Sequence, residues 1–178
     1  MKRIMLDLET FGTRPGSVIL CIGAVEFGDN EIRSSFYEWI DLRSSADYGL
    51  KTDPETVQWW EQQSYDALAE LHNLGIPIGE ALSVFERYIS CLGPEIEVWG
   101  NGSDFDNVLL AEAYRIGNRV VPWTFRQNRC YRTLRALVPS IPFAPPVMRH
   151  NALQDATAQA KHLMRILDHL SPLTGPQQ

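Results

Sequence analysis

Three runs rich in β-branched and aromatic residues crowd the first forty positions, and they constrain the fold more than anything that follows. Residues 3–9, 17–27 and 32–40 each have the length and composition of a strand, and Gly28-Asp29-Asn30 between the second and third reads as a hairpin turn. The expectation is an antiparallel meander, taken in the order 1-2-3. The first run, "RIMLDLE", is largely apolar until it reaches Asp7 and Glu9. Side chains two positions apart on a strand share a face. The two carboxylates therefore stand side by side and repel each other, so this strand end calls for a cation.

The rest of the chain alternates between helix and strand signals. "DPETVQWWEQQS" predicts a helix with Asp53 as N-cap and Pro54 at the first helical position. "IPIGEALSVFERYISCLG" places Ala81, Val84, Phe85, Tyr88 and Ile89 at helical spacing and closes at Gly93. "EIEVWG" (95–100) reads as a fourth strand, and Ser103 is expected to cap the helix after it, which carries Phe105, Val108, Leu109, Ala113 and Ile116. "RCYRTLRALVP" predicts a further helix stopped by Pro139, and "PSIPFAPP" a proline-rich loop. "NALQDATAQAKHLMRILDHL" repeats apolar residues from Leu153 to Leu170 in steps of three and four, with Asn151 and Gln154 at capping-box spacing. A meander, a strand between helices and then more helices imply an α/β domain. Its central sheet is mixed, the antiparallel meander plus parallel strands, and helices flank it. At 178 residues, one domain over 1–170 with a frayed tail at 171–178 is expected.

Composition narrows the function. Lys2 and Arg3 precede an apolar run that Asp7 breaks almost at once, which is not a secretory signal. No apolar run approaches the roughly 20 residues of a membrane span. Cys21, Cys91 and Cys130 are far apart and form no CxxC pair, as in a reduced cytoplasmic protein. A net charge of -6 excludes a wholly basic nucleic-acid binder. Charge is unevenly spread, however: Arg115 to Arg149 holds seven arginines and no acid. Trp123, Phe125, Tyr131 and Phe143 lie among them, a mixture that suits phosphates and stacked bases. The alternative is that these arginines pair with distant acids and the rings belong to the core.

Ligands of open α/β sheets gather where strands end and helices begin, and that is where the remaining candidate acids occur. Asp104 and Asp106 stand in "GNGSDFDNV", at the start of a helix that follows a strand. Asp155 is in the first turn of the last helix, five residues after His150, on the flank of the apolar stripe. Acids at three element ends with a histidine nearby fit one task. Hard oxygen ligands bind Mg²⁺ or Mn²⁺ and leave positions open for water and phosphate. Two such ions, about 3.5–4 Å apart, stabilise both the attacking and leaving oxygens of a phosphodiester.

"DLET", "NGSDFD" and "HNALQD", in that order, resemble the three motifs of the DEDDh 3′→5′ exonucleases of the ribonuclease H-like superfamily. "DPETVQWWEQQS", "VWGNGSDFDNVLL" and "CYRTLRALVP" extend the resemblance along nearly the whole chain, toward the bacterial and phage group of exonuclease VIII-like proteins and a small dimeric exoribonuclease. The resemblance implies a ribonuclease H-like fold and two metal ions held by Asp7, Glu9, Asp106 and Asp155, with Asp106 preferred to Asp104 because it follows Phe105. It implies His150 as the general base, Glu9 as an acceptor for the terminal 3′-OH, and Leu8, Thr10 and Phe11 around the terminal nucleotide. Asn101 matches the polar residue before the F-D pair, while Cys130 departs from the acid common at its position. The substrate implied is a single-stranded 3′ end, with DNA slightly favoured over RNA, and a homodimer is implied as well. Arg132 and Arg135 would then bind substrate, and the arginine segment could serve the other subunit's site. A non-catalytic binding module of the same fold would be expected to lack an acid or the histidine, and all five are present. Trp59 and Trp60 read as packing rather than as a platform for a base, with at most one facing the core squarely. His72, His162 and His169 are assigned no chemistry.

Overall fold

The computed structural model describes residues 2–70 and 75–171. His72 and all of the expected tail but Ser171 lie outside them. The meander forms as expected from β1 (Lys2–Thr10), β2 (Ile19–Phe27) and β3 (Ile32–Trp39). Two further strands, β4 (Ile96–Gly100) and β5 (Asn128–Cys130), run parallel to β1 and complete a sheet ordered β3-β2-β1-β4-β5. Helices α1 (Leu42–Asp47), α2 (Pro54–Trp60), α3 (Tyr65–Glu70), α4 (Ile78–Leu92), α5 (Asp106–Ile116), α6 (Tyr131–Leu137) and α7 (Ala152–Leu170) connect and flank the strands. Among the described residues, no helix is long and apolar enough to cross a membrane.

Alternation along β1 divides the interior in two. Ile4, Leu6 and Leu8 point into a larger core with Ile22, Ala24, Phe85, Leu109 and Tyr114. Met5 points the other way, into a second core with Val25, Phe27 and Trp99 that α7 covers with Ala156, Ala160, Leu163 and Ile166. Each such large apolar side chain, fully buried, contributes about 1.5–3 kcal/mol. Asp7 and Glu9 continue the Met5 side of the strand. The face beneath α7 is thus apolar at one end of β1 and acidic at the other.

The caps are local and legible. Asp53 accepts the Glu55 amide at 3.0 Å to start α2, and Asn151 accepts the Gln154 amide at 3.0 Å to start α7. Gly93, at φ 86°, ends α4 in the left-handed region that a side chain would disfavour. The expected cap at Ser103 does not form. Residues 101–105 are taken up by a turn in which the Phe105 amide donates to the Gly102 carbonyl at 2.9 Å, and α5 begins only at Asp106. β5 was not apparent in the sequence because its three residues are too short to show a period.

Candidate active site

The site is built where β1 and β4 end side by side, Leu6 opposite Gly100. Asp106, the first residue of α5, is 2 % exposed. Its Oδ1 accepts the Leu8 amide and its Oδ2 the Asn101 amide, each at 3.2 Å. One carboxylate thereby ties the ends of two parallel strands. Asp104, two residues earlier, is exposed. From the opposite side, α7 brings Asp155, whose Oδ2 accepts the His150 amide at 2.9 Å, and Gln159, whose Nε2 donates to Asp7 Oδ1 at 2.8 Å. Asp7, Glu9 and Asp155 each offer an oxygen within 4.8 Å of the others. Asp106 faces the same space, because its charge acts on both Asp7 and Glu9.

Two glycines allow this approach. Asp7 lies opposite Gly23 on β2. A Cβ on Gly23 would meet the Ala152 carbonyl carbon at 2.3 Å and the Leu153 nitrogen at 2.5 Å, so the first turn of α7 rests directly on the β2 backbone. A Cβ on Gly100 would meet Asn107 Oδ1 at 2.3 Å, so the start of α5 sits equally close to β4. Asn107 is held there by its own side chain, which donates to the Val98 carbonyl at 2.9 Å and to Asn128 Oδ1 at 3.0 Å.

Crowding acids in a buried place raises their proton affinity. Asp7 is held well above the usual carboxylate range by burial first and then by Asp106, Glu9 and Asp155, with the Gln159 bond opposing. Glu9 is pushed up to about 8 by burial, then by Asp155 and Asp106. Asp106 is pushed up to about 7 by burial, against the pull of the Leu8 and Asn101 amides. Asp155 is raised as well, again by burial, with the His150 amide opposing. A set of four hard oxygen donors that cannot all carry charge unaided is what a divalent cation relieves. The donor chemistry therefore fits a hard divalent cation.

His150 has φ 61°, an uncommon left-handed conformation for a residue with a side chain. The hydrogen bond its backbone N–H donates to Asp155 helps hold that backbone. Its ring meets Trp59 edge-on, centroids 4.9 Å apart, and Trp60 at 5.9 Å. Trp60 is 2 % exposed and its Nε1 donates to the Thr10 carbonyl at 2.9 Å, so it packs into the core as expected. Trp59 is 43 % exposed. It walls a cleft of about 430 Å³ beside the acids, together with Leu8, Glu9, Thr10, Phe105 and Trp60. Packing alone does not describe Trp59.

The structure gathers most of the residues singled out from the sequence: the four acids, His150, Leu8, Thr10 and Phe105. Asn101 contributes through its backbone, its amide to Asp106 and its carbonyl to the Arg132 guanidinium at 2.5 Å. Phe11 is not in the cleft; it packs on the larger core and lines a separate hollow with Val18, Leu42 and Leu50. Arg135 lies one turn beyond Arg132 on α6, over the Phe143 ring. Gln159 and Gly23 were not anticipated. The signals for them are a polar residue four positions after Asp155, on the same helix face, and a glycine inside a β-branched run.

The sequence profile of the Rv2179c-like 3′-5′ exoribonuclease domain matches residues 2–167. No curated protein matches the chain by sequence. Among solved structures, cell-death related nuclease 4 (CRN-4) is similar at a TM-score of 0.65 and 11% identity, over 94% of this chain and 64% of that one. The nuclease domain of 3′hExo, a DEDDh family member bound to rAMP, is similar at 0.62 and 12% identity, over 94% and 92%. E. coli exonuclease I in complex with a 5cy-dA13 oligonucleotide is similar at 0.64 and 16% identity, over 97% of this chain and 41% of that one. The chain thus spans less than two thirds of CRN-4 and of exonuclease I. These likenesses show a shared fold.

Proposed function

The chain belongs to the Rv2179c-like 3′-5′ exoribonuclease domain family, and from that membership and its acid cluster we propose that it is a metal-dependent 3′→5′ exonuclease acting on single-stranded 3′ ends. The observation that carries the reading is the convergence of Asp7, Glu9 and Asp155 within 4.8 Å, with Asp106 facing them. These four residues would hold two divalent ions, Mg²⁺ or Mn²⁺. Bound there, the ions would supply positive charge to a water and to the leaving oxygen of a phosphodiester.

The chain's own residues do the rest. The cleft walled by Leu8, Thr10, Phe105 and Trp59 takes the terminal nucleotide. The buried Trp60 also lines it. Glu9, at the cleft's acidic rim, accepts the terminal 3′-OH. His150 takes the proton from the attacking water, a task suited to an imidazole near neutral pH. Trp59 and Trp60 hold its ring edge-on and Asp155 holds its backbone, so the base is oriented before substrate arrives.

The family's description supports RNA as the substrate class; the slight lean to DNA taken from the sequence resemblance is the other outcome that the same assay reads. A homodimer, a cytoplasmic location and a single domain over 1–170 complete the proposal. The test is a denaturing gel of single-stranded RNA and DNA labelled at the 5′ end, with Mg²⁺, Mn²⁺ or chelator. A metal-dependent ladder shrinking from the 3′ end is expected, abolished in Asp7→Asn. Digestion by Asp7→Asn at the wild-type rate would sink the assignment.

A further inference from the structure

We propose that the strand upstream of the cleaved bond leaves the site over α6 of the same chain, along a track formed by Arg132 and by Arg135 stacked on Phe143. The inference rests on the exonuclease reading and adds the route and polarity of the substrate.

The track begins at the acids. The Arg132 guanidinium donates to the Asn101 carbonyl, one residue beyond β4, and its charge reaches Asp106. Arg135 follows three residues later on α6, so the two share a helix face. Its guanidinium carbon lies 4.8 Å from the centre of the Phe143 ring, which helps keep the planar group in place. Both line an open groove of about 390 Å³, with Ala136, Pro139, Pro142 and Phe143 among its other walls.

Three observations point to phosphates as the occupant. Both arginines are exposed. The ion pairs among the described residues use Arg3, Arg33, Arg115, Arg119 and Arg129, and neither Arg132 nor Arg135 takes part in one. Arg132 bonds the Asn101 carbonyl and Arg135 the Tyr131 hydroxyl, and neither forms an ion pair with a carboxylate; in a chain that is acidic as a whole, at -6, they are not general surface charge. Guanidinium forks match phosphate oxygens, and a stacked guanidinium plane also accepts a base.

Polarity follows from the two openings. The terminal nucleotide occupies the cleft by Thr10 and Trp59, on the β1 side of the acids. The scissile phosphate lies at the acids. The remaining strand must leave elsewhere, and Arg132 marks the β4 side, where α6 follows β5 directly. The arginines therefore act on the substrate of their own chain, in place of the service to a neighbouring subunit considered from sequence.

The test compares two substrates of unequal length. One is the p-nitrophenyl ester of thymidine 5′-monophosphate, which has a scissile phosphodiester and no upstream nucleotide. The other is a 5′-labelled five-nucleotide strand. In Arg132→Ala/Arg135→Ala the ratio of kcat/KM for strand to that for ester is expected to fall about tenfold or more, and the salt dependence for the strand to weaken. An unchanged ratio overturns the track. So does restoration of strand cleavage when the double variant is mixed with Asp7→Asn, because that places the arginines in trans. If the wild type cleaves neither substrate, the exonuclease reading fails separately. Fluorescence anisotropy on the labelled strand then decides the track: weaker binding by the double variant supports it, and equal binding overturns it.

Discussion

Replacing Gly23 with alanine tests whether the seating of one helix sets the geometry of the acids. The added carbon would lie 2.3 Å from a backbone carbon of Ala152, and ordinary contact begins near 3.4 Å. The start of α7 must therefore retreat by about 1 Å, since the obstacle is backbone and cannot swing aside. Overpacking of this kind costs about 1–3 kcal/mol, which lowers Tm by roughly 2–12 °C in a chain of this size. Typical stabilities of about 5–15 kcal/mol leave the variant folded at 25 °C. Activity should suffer far more than folding. Asp155 rides on the displaced turn, and a misplacement of about 1 Å at a catalytic group can cost roughly 100-fold. The assay is kcat/KM on a 5′-labelled strand at 25 °C, read beside a thermal melt. Gly28→Ala is the control: there the atoms nearest the new carbon belong to the tip of the Arg33 side chain, which can move. Wild-type activity and melting in Gly23→Ala, or equal losses in both variants, would refute the reasoning.

Other outcomes follow from the same contacts. Gln159→Leu removes the bond to Asp7 and should weaken Mn²⁺ binding by about 10–100-fold; calorimetry showing an unchanged Kd contradicts this. Trp59→Ala removes one wall of the His150 ring and should lower kcat by about tenfold, with Trp59→Phe restoring most of it; a fall in Trp59→Ala that phenylalanine does not rescue speaks against ring support. Glu9 has a folded pKa of about 8 against an ordinary 4.5, so the metal-free fold binds more protons than the unfolded chain between those values. In chelator its contribution to stability is present below pH 4.5 and is lost as pH rises through 8. Glu9→Gln should therefore raise the metal-free Tm at pH 8 by about 4 °C or more, and a lower Tm in that variant contradicts the prediction. Adding Mn²⁺ should stabilise the wild type more at pH 8 than at pH 5, as seen by scanning calorimetry.

Much of the fold could be read in the sequence because its signals are local. Asp53 with Pro54, and Asn151 with Gln154, start helices through bonds that span two or three residues. The meander was legible because β2 is nine residues long and buried throughout. Failures fall where distant parts of the chain decide. Ser103 looks like a cap, but Asp106 is drawn to the amides of Leu8 and Asn101, and the helix starts there instead. Phe11 follows "DLET" directly, yet the chain bends after Thr10 and turns the ring toward Val18 and Leu42. In the site, acids at element ends could be found by position alone. Gln159 shares a helix face with Asp155, but its role could not be read there, because its partner Asp7 is 152 residues away.

Asp106 has a bearing on how an inactive form of this protein should be made. The usual choice for trapping a substrate is to exchange a metal-binding aspartate for asparagine, on the premise that the two have one shape. Here both oxygens of Asp106 accept backbone N–H groups. Asparagine has one oxygen and one amino group, and the amino group would face a donor. One strand end would be left with a buried unpaired N–H, at a cost of about 1–3 kcal/mol. Asp106→Asn is therefore a folding variant as well as a chemical one. Glu9→Gln, at a position the fold does not lean on in this way, is the better trap.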